Sequence, residues 1–249
     1  MMTKWGDVFE FSAIGQVRTP FKDRFGVPRQ PGLASAAKGV IKIHPDPDLK
    51  TSLRSLEEFT HLWIVFVFHD HGGKSWKPSI RPPRLGGNRK VGVLASRSPH
   101  RPNPIGLSVV AIEKIDLEAV GGPEIFVAGV DLIDGTPVLD IKPYIAYADS
   151  VPEAGAGWAS EPIPRYPVLF SEKAETEIQQ RDPRGEKNLK ALIVEVMELD
   201  PRPAFQKRQS PPSEGKSWGL RYGIDILGND VKYEITSAGF VIYDILDMA

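Results

Sequence analysis

A fourteen-residue stretch near the middle of the chain, Ala95–Ser108, restricts the fold more than any other part of the sequence. It reads A-S-R-S-P-H-R-P-N-P-I-G-L-S, with prolines at positions 99, 102 and 104. Proline fixes φ and has no N–H to donate, so the stretch can form neither a helix interior nor a central strand. A backbone fixed in this way loses little entropy on binding, and it carries Arg97, His100, Arg101 and Asn103. We interpret it as a binding loop.

The composition favours short strands and turns. The 249 residues include 23 glycines and 23 prolines, spread along the chain, which favours many short strands over a helical bundle. Cysteine is absent, which excludes disulfides, thiolate zinc sites and a cysteine nucleophile, and suits a reducing cytosol. No apolar run approaches the ~20 residues of a membrane span, and the N-terminus lacks a signal-peptide pattern. We therefore predict a cytoplasmic protein with no membrane segment.

The hydrophobic pattern predicts a β-rich first part. Strands are predicted over residues 8–17, 40–43, 62–68, 107–115 and 125–130, and one short helix over 51–58. The segment Leu62–Phe68, L-W-I-V-F-V-F, is apolar on both faces and is predicted to be the central strand. Arg18–Leu33 is predicted to be a long ordered loop. A plain hairpin tip would explain Asp134 and Gly135 but not Asp131.

A domain boundary is predicted at residues 150–167, which are rich in Pro, Gly and Ala and show no periodicity. Beyond it, helices are predicted over 171–181 and 188–199. Strands 218–226 and 231–236 form a predicted hairpin about Gly228 and Asn229, and 240–246 is a last strand. The second part is therefore predicted to be a small α+β domain.

The net charge of −1 conceals a strong asymmetry along the chain. From Arg18 to Arg101 there are sixteen Lys/Arg and six Asp/Glu, and no acid occurs from His71 to Arg101. Residues 112–161 reverse this balance, with two bases and ten acids. The acid-free window, residues 71–101, suggests a polyanionic partner, and Trp76 adds a stacking surface. The alternative is a loop whose arginines pair with the later acidic segment.

Familiar catalytic motifs are missing. The sequence contains no G-x-G-x-x-G after the first strand, no P-loop, no H-E-x-x-H and no G-x-S-x-G, so a Rossmann domain and a P-loop are excluded. His69 and His71 share a face after the central strand, with Asp70 between them. Because a third ligand at a recognisable spacing is missing, we predict a polar pocket rim and no metal. The residues alone indicate a basic β-rich protein that acts on an anionic or nucleic-acid substrate.

Five segments, in order, resemble the TsaA-like or TrmO family. The most distinctive is R-S-P-x-R-P-N-P-I-G-L-S, and D-P-R-P-A-F at 200–205 resembles the bacterial members. Asp70 stands where the family often has Glu or Gln, and Ser96 where Thr is usual. Family members are bacterial and archaeal methyltransferases that act on threonylcarbamoyl-adenosine beside the tRNA anticodon. The five segments are Arg18–Leu33, Phe59–His69, Arg81–Asn88, Arg97–Ser108 and Asp131–Tyr144.

The resemblance implies S-adenosyl-L-methionine as cofactor, tRNA as partner and a homodimer. It also implies a mainly β fold, with an antiparallel β-barrel-like domain over residues 1–155 and a small α+β domain over 165–249. Basic residues expected to bind the tRNA substrate are Lys74, Lys77, Arg84, Arg89, Lys90 and Arg101. The implied cofactor-binding residues are Gln30, Pro31, Gly32, His69, Asp70, Arg97, Leu107, Asp131, Leu132, Ile133, Asp134, Gly135 and Thr136.

The chemistry of the cofactor assigns roles to some of these residues. A sulfonium with an amino-acid tail needs carboxylates near its positive groups and a cation near its carboxylate. Arg97 suits the second task, and Asp131 or Asp134 the first.

The target nitrogen must also lose a proton. His69, Asp70 and Tyr144 are candidate catalytic acceptors, and an enzyme that only aligns its substrates is equally open. The main alternative function is a non-enzymatic RNA-binding barrel, which leaves the acidic residues of the segment 131–144 unexplained. A metal-dependent phosphoesterase built on His69 and His71 lacks enough ligands.

Overall fold

The computed structural model describes residues 8–22, 24–70 and 76–248. Six strands of the first part close into an antiparallel barrel in the order β1-β2-β7-β6-β3-β8, and β4 and β5 form a separate pair. This confirms the predicted β-barrel fold. The elements in chain order are β1 (Gly15–Arg18), β2 (Lys38–Ile43), α1 (Pro47–Ser52), β3 (His61–Val67), β4 (Ser79–Ile80), β5 (Val91–Gly92), β6 (Ile105–Asp116), β7 (Glu124–Ala128), β8 (Thr136–Pro143) and α2 (Ala146–Asp149).

The barrel is filled by the alternating inward side chains of its strands. In β3, Leu62, Ile64 and Phe66 point inward and are buried, while Trp63 and the two valines on the outer face are half-buried. This agrees with a strand that is apolar on both faces. Full burial of each such side chain stabilises the fold by ~1.5–3 kcal/mol. The core continues through β1, β2, β7 and β8 with Val17, Ile41, Ile43, Ile125, Val127 and Val138.

Three connections of the barrel lie at one end, because antiparallel strands alternate in direction. There β1, β3 and β7 finish, and β2, β6 and β8 begin, so the described residues of three connections meet, namely 19–22, 24–37, 68–70, 76–104 and 129–135. Backbone hydrogen bonds join these loops: Gly32 N donates to Gly129 O at 3.0 Å and Asp134 N to Phe21 O at 2.8 Å. The proline-rich stretch is held by Phe68 N, which donates to Pro104 O at 2.8 Å. We call this the loop end of the barrel.

Two element predictions in the first part are wrong at their boundaries. The first strand begins at Gly15 rather than at residue 8, because residues 8–13 pair with no strand. The predicted single helix divides into α1, which Asp46 caps by accepting from Asp48 N and Leu49 N, and a short 3₁₀ turn at Leu56–Glu58. Ser55, with φ of 66°, separates the two. The cap and Pro47 start the helix early, and the left-handed Ser55 ends its continuation.

The connection at Asp134-Gly135 is not a hairpin tip. β7 pairs with β2 and β6, whereas β8 pairs with β1 and β3, so the chain crosses between different parts of the barrel. The turn is formed locally, with Thr136 N donating to Ile133 O at 3.2 Å. Because the segment from Asp131 to Thr136 connects two strands that do not pair with each other, its residues can line a cavity at the loop end.

The second part is an α+β domain, as predicted. Its four-stranded sheet has the order β10-β11-β12-β9, and β9 runs parallel to β12. The predicted hairpin turn lies one residue earlier, at Leu227-Gly228, where both φ angles are positive. Strand β9 and helix α5 were not predicted. The elements are β9 (Val168–Phe170), α3 (Glu172–Arg181), α4 (Leu189–Met197), α5 (Ala204–Gln209), β10 (Arg221–Ile226), β11 (Asn229–Thr236) and β12 (Gly239–Asp247).

The second domain packs against the loop end of the barrel. Glu195 of α4 accepts from Ser35 Oγ at 2.8 Å and from Ala36 N at 2.7 Å. Arg208 of α5 donates to Gly86 O at 2.7 Å, within the segment between β4 and β5. In the part of the chain that the structure describes, no helix combines the length and apolar character needed to cross a bilayer.

Candidate active site

Two adjoining cavities open at the loop end. The smaller, of about 570 Å³, lies over β3, the start of β6 and the loop between β7 and β8. The larger, of about 1230 Å³, lies between the barrel loops and the second domain. Both are lined by Arg29, Gln30, Arg97, Pro99 and His100. The proline-rich stretch thus forms a shared wall, which gives its stiff backbone a role in holding two sites next to each other.

The smaller cavity has an apolar lining. Phe66 and Phe68 meet edge to face with their ring centroids 5.0 Å apart, and Trp63, Leu107 and Leu132 complete the apolar surface. Its volume falls in the ~300–1,000 Å³ range of small-molecule sites. The cavity can therefore hold a ligand of cofactor size with an aromatic part.

One carboxylate, that of Asp131, enters this cavity from the loop after β7. Its Oδ1 accepts from Ser108 Oγ of β6 at 2.6 Å. Burial raises the pKa of Asp131 to about 6, and the Ser108 hydrogen bond and the charge of Arg97 only partly oppose this. Because burial disfavours its ionised form, Asp131 would be stabilised by a cation in the cavity.

The guanidinium of Arg97 enters from the proline-rich stretch, which also brings Arg101 to this cavity. Arg97 Nη1 donates to Gln30 Oε1 at 2.5 Å, which ties this stretch to the loop after β1. The cavity therefore presents a carboxylate and a guanidinium from different loops. That arrangement suits a zwitterionic ligand.

Asp134 points away from the cavity. Its carboxylate accepts from Thr19 N at 2.9 Å and from Lys22 Nζ at 2.7 Å. Although burial raises the pKa of Asp134, the Lys22 and Thr19 hydrogen bonds outweigh it and leave the pKa below its ordinary value.

Ten of the thirteen implied cofactor residues line the smaller cavity, and Gly32, Asp134 and Gly135 do not.

The three candidate proton acceptors are not together. His69 and Asp70 are exposed and line the smaller cavity. Tyr144 follows β8 at the opposite end of the barrel, where its ring lies 6.4 Å from His61 and 5.7 Å from Trp63. β3 separates the two ends, since His61 begins this strand and His69 follows its end. Tyr144 is thus not among the residues that line either cavity.

Basic residues of the acid-free window divide between the cavities. Lys77, Arg84 and Lys90 line the larger one, Arg101 lines the smaller one, and Arg89 lines neither. Lys74 and His71 lie outside the described residues.

The alternative interpretation of this window, pairing with the later acidic segment, fails for the seven Lys/Arg described between residues 76 and 101. None of these seven forms an ion pair with a carboxylate of the described chain. The acidic segment instead pairs with earlier bases, in Arg18–Glu124, Lys38–Glu113, Lys42–Glu124 and Lys50–Glu118.

Sequence reasoning missed several residues of the two cavities. Ser108 lay inside a recognised motif, and a polar residue in the apolar run I-G-L-S-V-V was a signal of a buried hydrogen bond. Phe66 was assigned only to the core. Arg29 and Lys207 gave no signal, because they come together only through the packing of the two domains.

The fold and the two cavities define a class of protein: a β-barrel with a small cavity whose charges suit a zwitterionic ligand, beside a basic cleft that suits a polyanion. Comparison with known families specifies the class. The family model described as the tRNA-methyltransferase O N-terminal domain matches residues 16–150, and the TrmO C-terminal domain matches residues 163–248. The chain belongs to the tRNA-methyltransferase O (TrmO) family, which confirms the resemblance seen in the sequence.

Relatives and solved structures cover almost the whole chain. It is 40% identical to the tRNA (adenine(37)-N6)-methyltransferase of Escherichia coli strain K12, over 94% of this chain and 97% of that protein. It is 42% identical to a putative S-adenosylmethionine-dependent methyltransferase, RcsF, of Pseudomonas aeruginosa, over 84% of this chain and 87% of that protein. A crystal structure of TrmO from Pseudomonas aeruginosa superimposes with a TM-score of 0.77 at 34% identity, covering 98% of this chain and 100% of that one.

Gly106 tests whether the smaller cavity binds the cofactor. A Cβ at this position would lie 2.1 Å from Phe66 Cζ, so Gly106→Ala must displace a ring that lines the cavity. We expect a loss of ~1–3 kcal/mol in stability and at least a tenfold loss of S-adenosylmethionine affinity, measured by thermal unfolding and calorimetry. Gly92→Ala is the control, because nothing lies within 4 Å of its added Cβ. If Gly106→Ala folds and binds S-adenosylmethionine as tightly as the parent does, the cofactor does not bind in the smaller cavity.

Proposed function

We propose that this protein transfers a methyl group from S-adenosyl-L-methionine to the exocyclic N6 of adenosine 37 in tRNA, with threonylcarbamoyl-adenosine as the base acted on. The convergence of ten implied cofactor residues, from five separate parts of the chain, on one cavity is the observation that carries this proposal. The adjoining basic cleft and the tRNA (adenine(37)-N6)-methyltransferase activity named for the relatives support it.

The cavity residues fit S-adenosylmethionine. The buried Asp131 carboxylate would hold the positively charged sulfonium or amino group, and Ser108 fixes its orientation. Arg97 would bind the carboxylate of the methionyl part, and the apolar surface around Leu107 and Leu132 would hold the adenosine. When bound, the cofactor supplies an electrophilic methyl group on its sulfonium.

The chain's main contribution to the reaction is alignment. The two cavities share a wall at Arg97, Pro99 and His100, and proline stiffens this wall. It would position the target nucleobase in the larger cavity against the cofactor in the smaller one. His69 and Asp70 line the cofactor cavity and are the remaining candidates to take the N6 proton. Tyr144 is not included, since it lies at the other end of the barrel.

Binding of tRNA is assigned to the larger cavity and the bases around it. Lys77, Arg81, Arg84 and Lys90 line it without ion pairs to carboxylates in the described chain, so their charges are available for phosphates. Trp76 is exposed beside them and can stack on a base. These residues come from the acid-free window.

A homodimer and a cytoplasmic location complete the proposal. The outer face of β3 and β6 leaves Ile105 and Leu107 exposed beside the half-buried Trp63. These three residues also line the smaller cavity, so a second copy that contacts this apolar surface would lie over the cofactor cavity. A cytoplasmic location goes with a tRNA substrate and a chain without cysteine.

Methyl transfer from labelled S-adenosylmethionine to tRNA tests the function directly. We expect label on N6 of adenosine 37 in tRNA that carries the threonylcarbamoyl group, and none in the same tRNA with guanosine at position 37. An RNA-binding barrel without activity would bind the tRNA but would neither bind S-adenosylmethionine in calorimetry nor transfer label. That result would favour the alternative function.

A further inference from the structure

The larger cavity receives cations from both domains. Arg29 comes from the barrel loop between β1 and β2, and Lys207 comes from α5 of the second domain. Arg29 is exposed to the cavity, whereas Lys207 is half-buried. Tyr166, from the segment before β9, lines the same cavity. Lys207 does not line the smaller cavity and therefore has no role in the proposed binding of the cofactor.

The motif D-P-R-P-A-F at 200–205 contains a buried ion pair near these cations. Asp200 and Arg202 are buried, with 3% and 2% of their surface exposed. Arg202 Nε donates to Asp200 Oδ1 at 2.8 Å and Arg202 Nη2 to Asp200 Oδ2 at 2.9 Å. Both oxygens of Asp200 are therefore occupied by Arg202. The pair forms a fixed neutral unit next to the start of α5.

Arg29 and Lys207 have no carboxylate of their own among the described residues. Lys207 Nζ donates only to Leu199 O, at 3.3 Å, and Arg29 forms no hydrogen bond or ion pair within the described chain. Burial lowers the pKa of the half-buried Lys207; the charge of Asp200 opposes this, and the charges of Arg29 and Arg202 add to it. Because Asp200 is paired with Arg202, Arg29 and Lys207 line the cavity without a carboxylate of their own, and a bound anion would stabilise them.

We propose that Arg29 and Lys207 form an anion site, built by both domains, that binds a carboxylate or phosphate oxygen of the substrate. The second domain is then part of the substrate site. The identity of the ligand rests on the proposed function. The anion is either the carboxylate of the threonyl group on adenosine 37 or a backbone phosphate of the anticodon loop.

Binding of anticodon stem–loops to the full chain tests the site without requiring activity. Three stem–loops are compared: adenosine 37 unmodified, bearing threonylcarbamoyl, and bearing its methyl ester. The variants are Lys207→Gln and the double variant Arg29→Gln/Lys207→Gln. The control is Lys216→Gln, an exposed lysine of the same domain that lines neither cavity. Thermal unfolding and S-adenosylmethionine affinity of Lys207→Gln should match the parent.

A loss of about tenfold or more in Lys207→Gln, larger still in the double variant, would support the site. If only the threonylcarbamoyl stem–loop loses affinity, the ligand is the carboxylate. If all three lose affinity equally and the salt dependence flattens, it is a phosphate. If Lys207→Gln and the double variant both bind all three stem–loops as the control does, the anion site is refuted. Methyl transfer by the parent would then still stand, so the two proposals fail separately.

Discussion

Asp131→Asn is expected to weaken S-adenosylmethionine binding by roughly ten- to hundredfold while the fold survives. Asparagine keeps the shape, and its Oδ1 can still accept from Ser108 Oγ, which lies 2.6 Å from Asp131 Oδ1 in the parent. The variant removes only the negative charge. A charge-assisted hydrogen bond to a cationic ligand contributes ~1.5–3 kcal/mol, which sets this range. Calorimetric titration at pH 8 measures it directly.

The same substitution is expected to stabilise the protein without cofactor. Burial raises the pKa of Asp131 to about 6 from an ordinary value of 3.8, so the folded protein holds its proton more tightly than the unfolded chain. Its contribution to stability is then present at low pH and is lost as the pH rises from about 4 through 6. Removing the charge should increase stability at pH 8 by roughly 1–3 kcal/mol. Urea unfolding of both proteins tests this.

A matched variant and a pH profile separate charge from shape. Asp134→Asn should bind the cofactor within about threefold of the parent, because the Asp134 carboxylate faces Thr19 and Lys22 rather than the cavity. Cofactor affinity of the parent should fall below pH 6, where Asp131 becomes protonated, by about tenfold per pH unit. Both proteins keep the cavity histidines, so the part of this fall that disappears in Asp131→Asn belongs to Asp131. Equal losses in both asparagine variants would contradict our assignment.

Replacing Lys77, Arg84 and Lys90 together with glutamine is expected to weaken tRNA binding strongly at low salt. Each lost phosphate contact should flatten the dependence of log affinity on log salt by ~0.7–0.9. For three contacts the change in slope is about 2. If the parent and the triple variant bind tRNA equally at 1 M salt, the variant binds tRNA about a hundredfold more weakly than the parent at 0.1 M salt. Filter binding across a salt series gives both values.

The control for this triple variant removes three charges elsewhere. Arg54, Arg184 and Lys216 are exposed and line neither cavity, so their replacement by glutamine changes net charge equally. We expect a smaller, long-range effect on tRNA affinity and a salt slope close to that of the parent. S-adenosylmethionine affinity should be unchanged in both triple variants. If the two flatten the slope equally, tRNA responds to overall charge and not to the larger cavity.

Several features of the fold could be predicted from the sequence because they depend on local chemistry. Alternating and continuous apolar runs identified β3, β6 and three strands of the second domain, β10, β11 and β12. Three prolines excluded regular structure from residues 96–104, and β6 begins directly after the last of them, at Ile105. Motif resemblance supplied the cofactor residues, and ten of them converge on one cavity. The acid-free window marked bases that lack carboxylate partners within the described chain.

Tertiary structure alone decided which similar residues share a site. Asp131 and Asp134 are three positions apart, but Asp134 is occupied by Thr19, 115 positions away, and Lys22. Tyr144 and His69 each follow the end of a barrel strand, but β8 and β3 pair antiparallel, so the two residues lie at opposite ends. Arg29 and Lys207 meet only because two domains pack together. Alternation along a strand shows which face is buried, whereas the neighbours of that face depend on long-range pairing that no local pattern encodes.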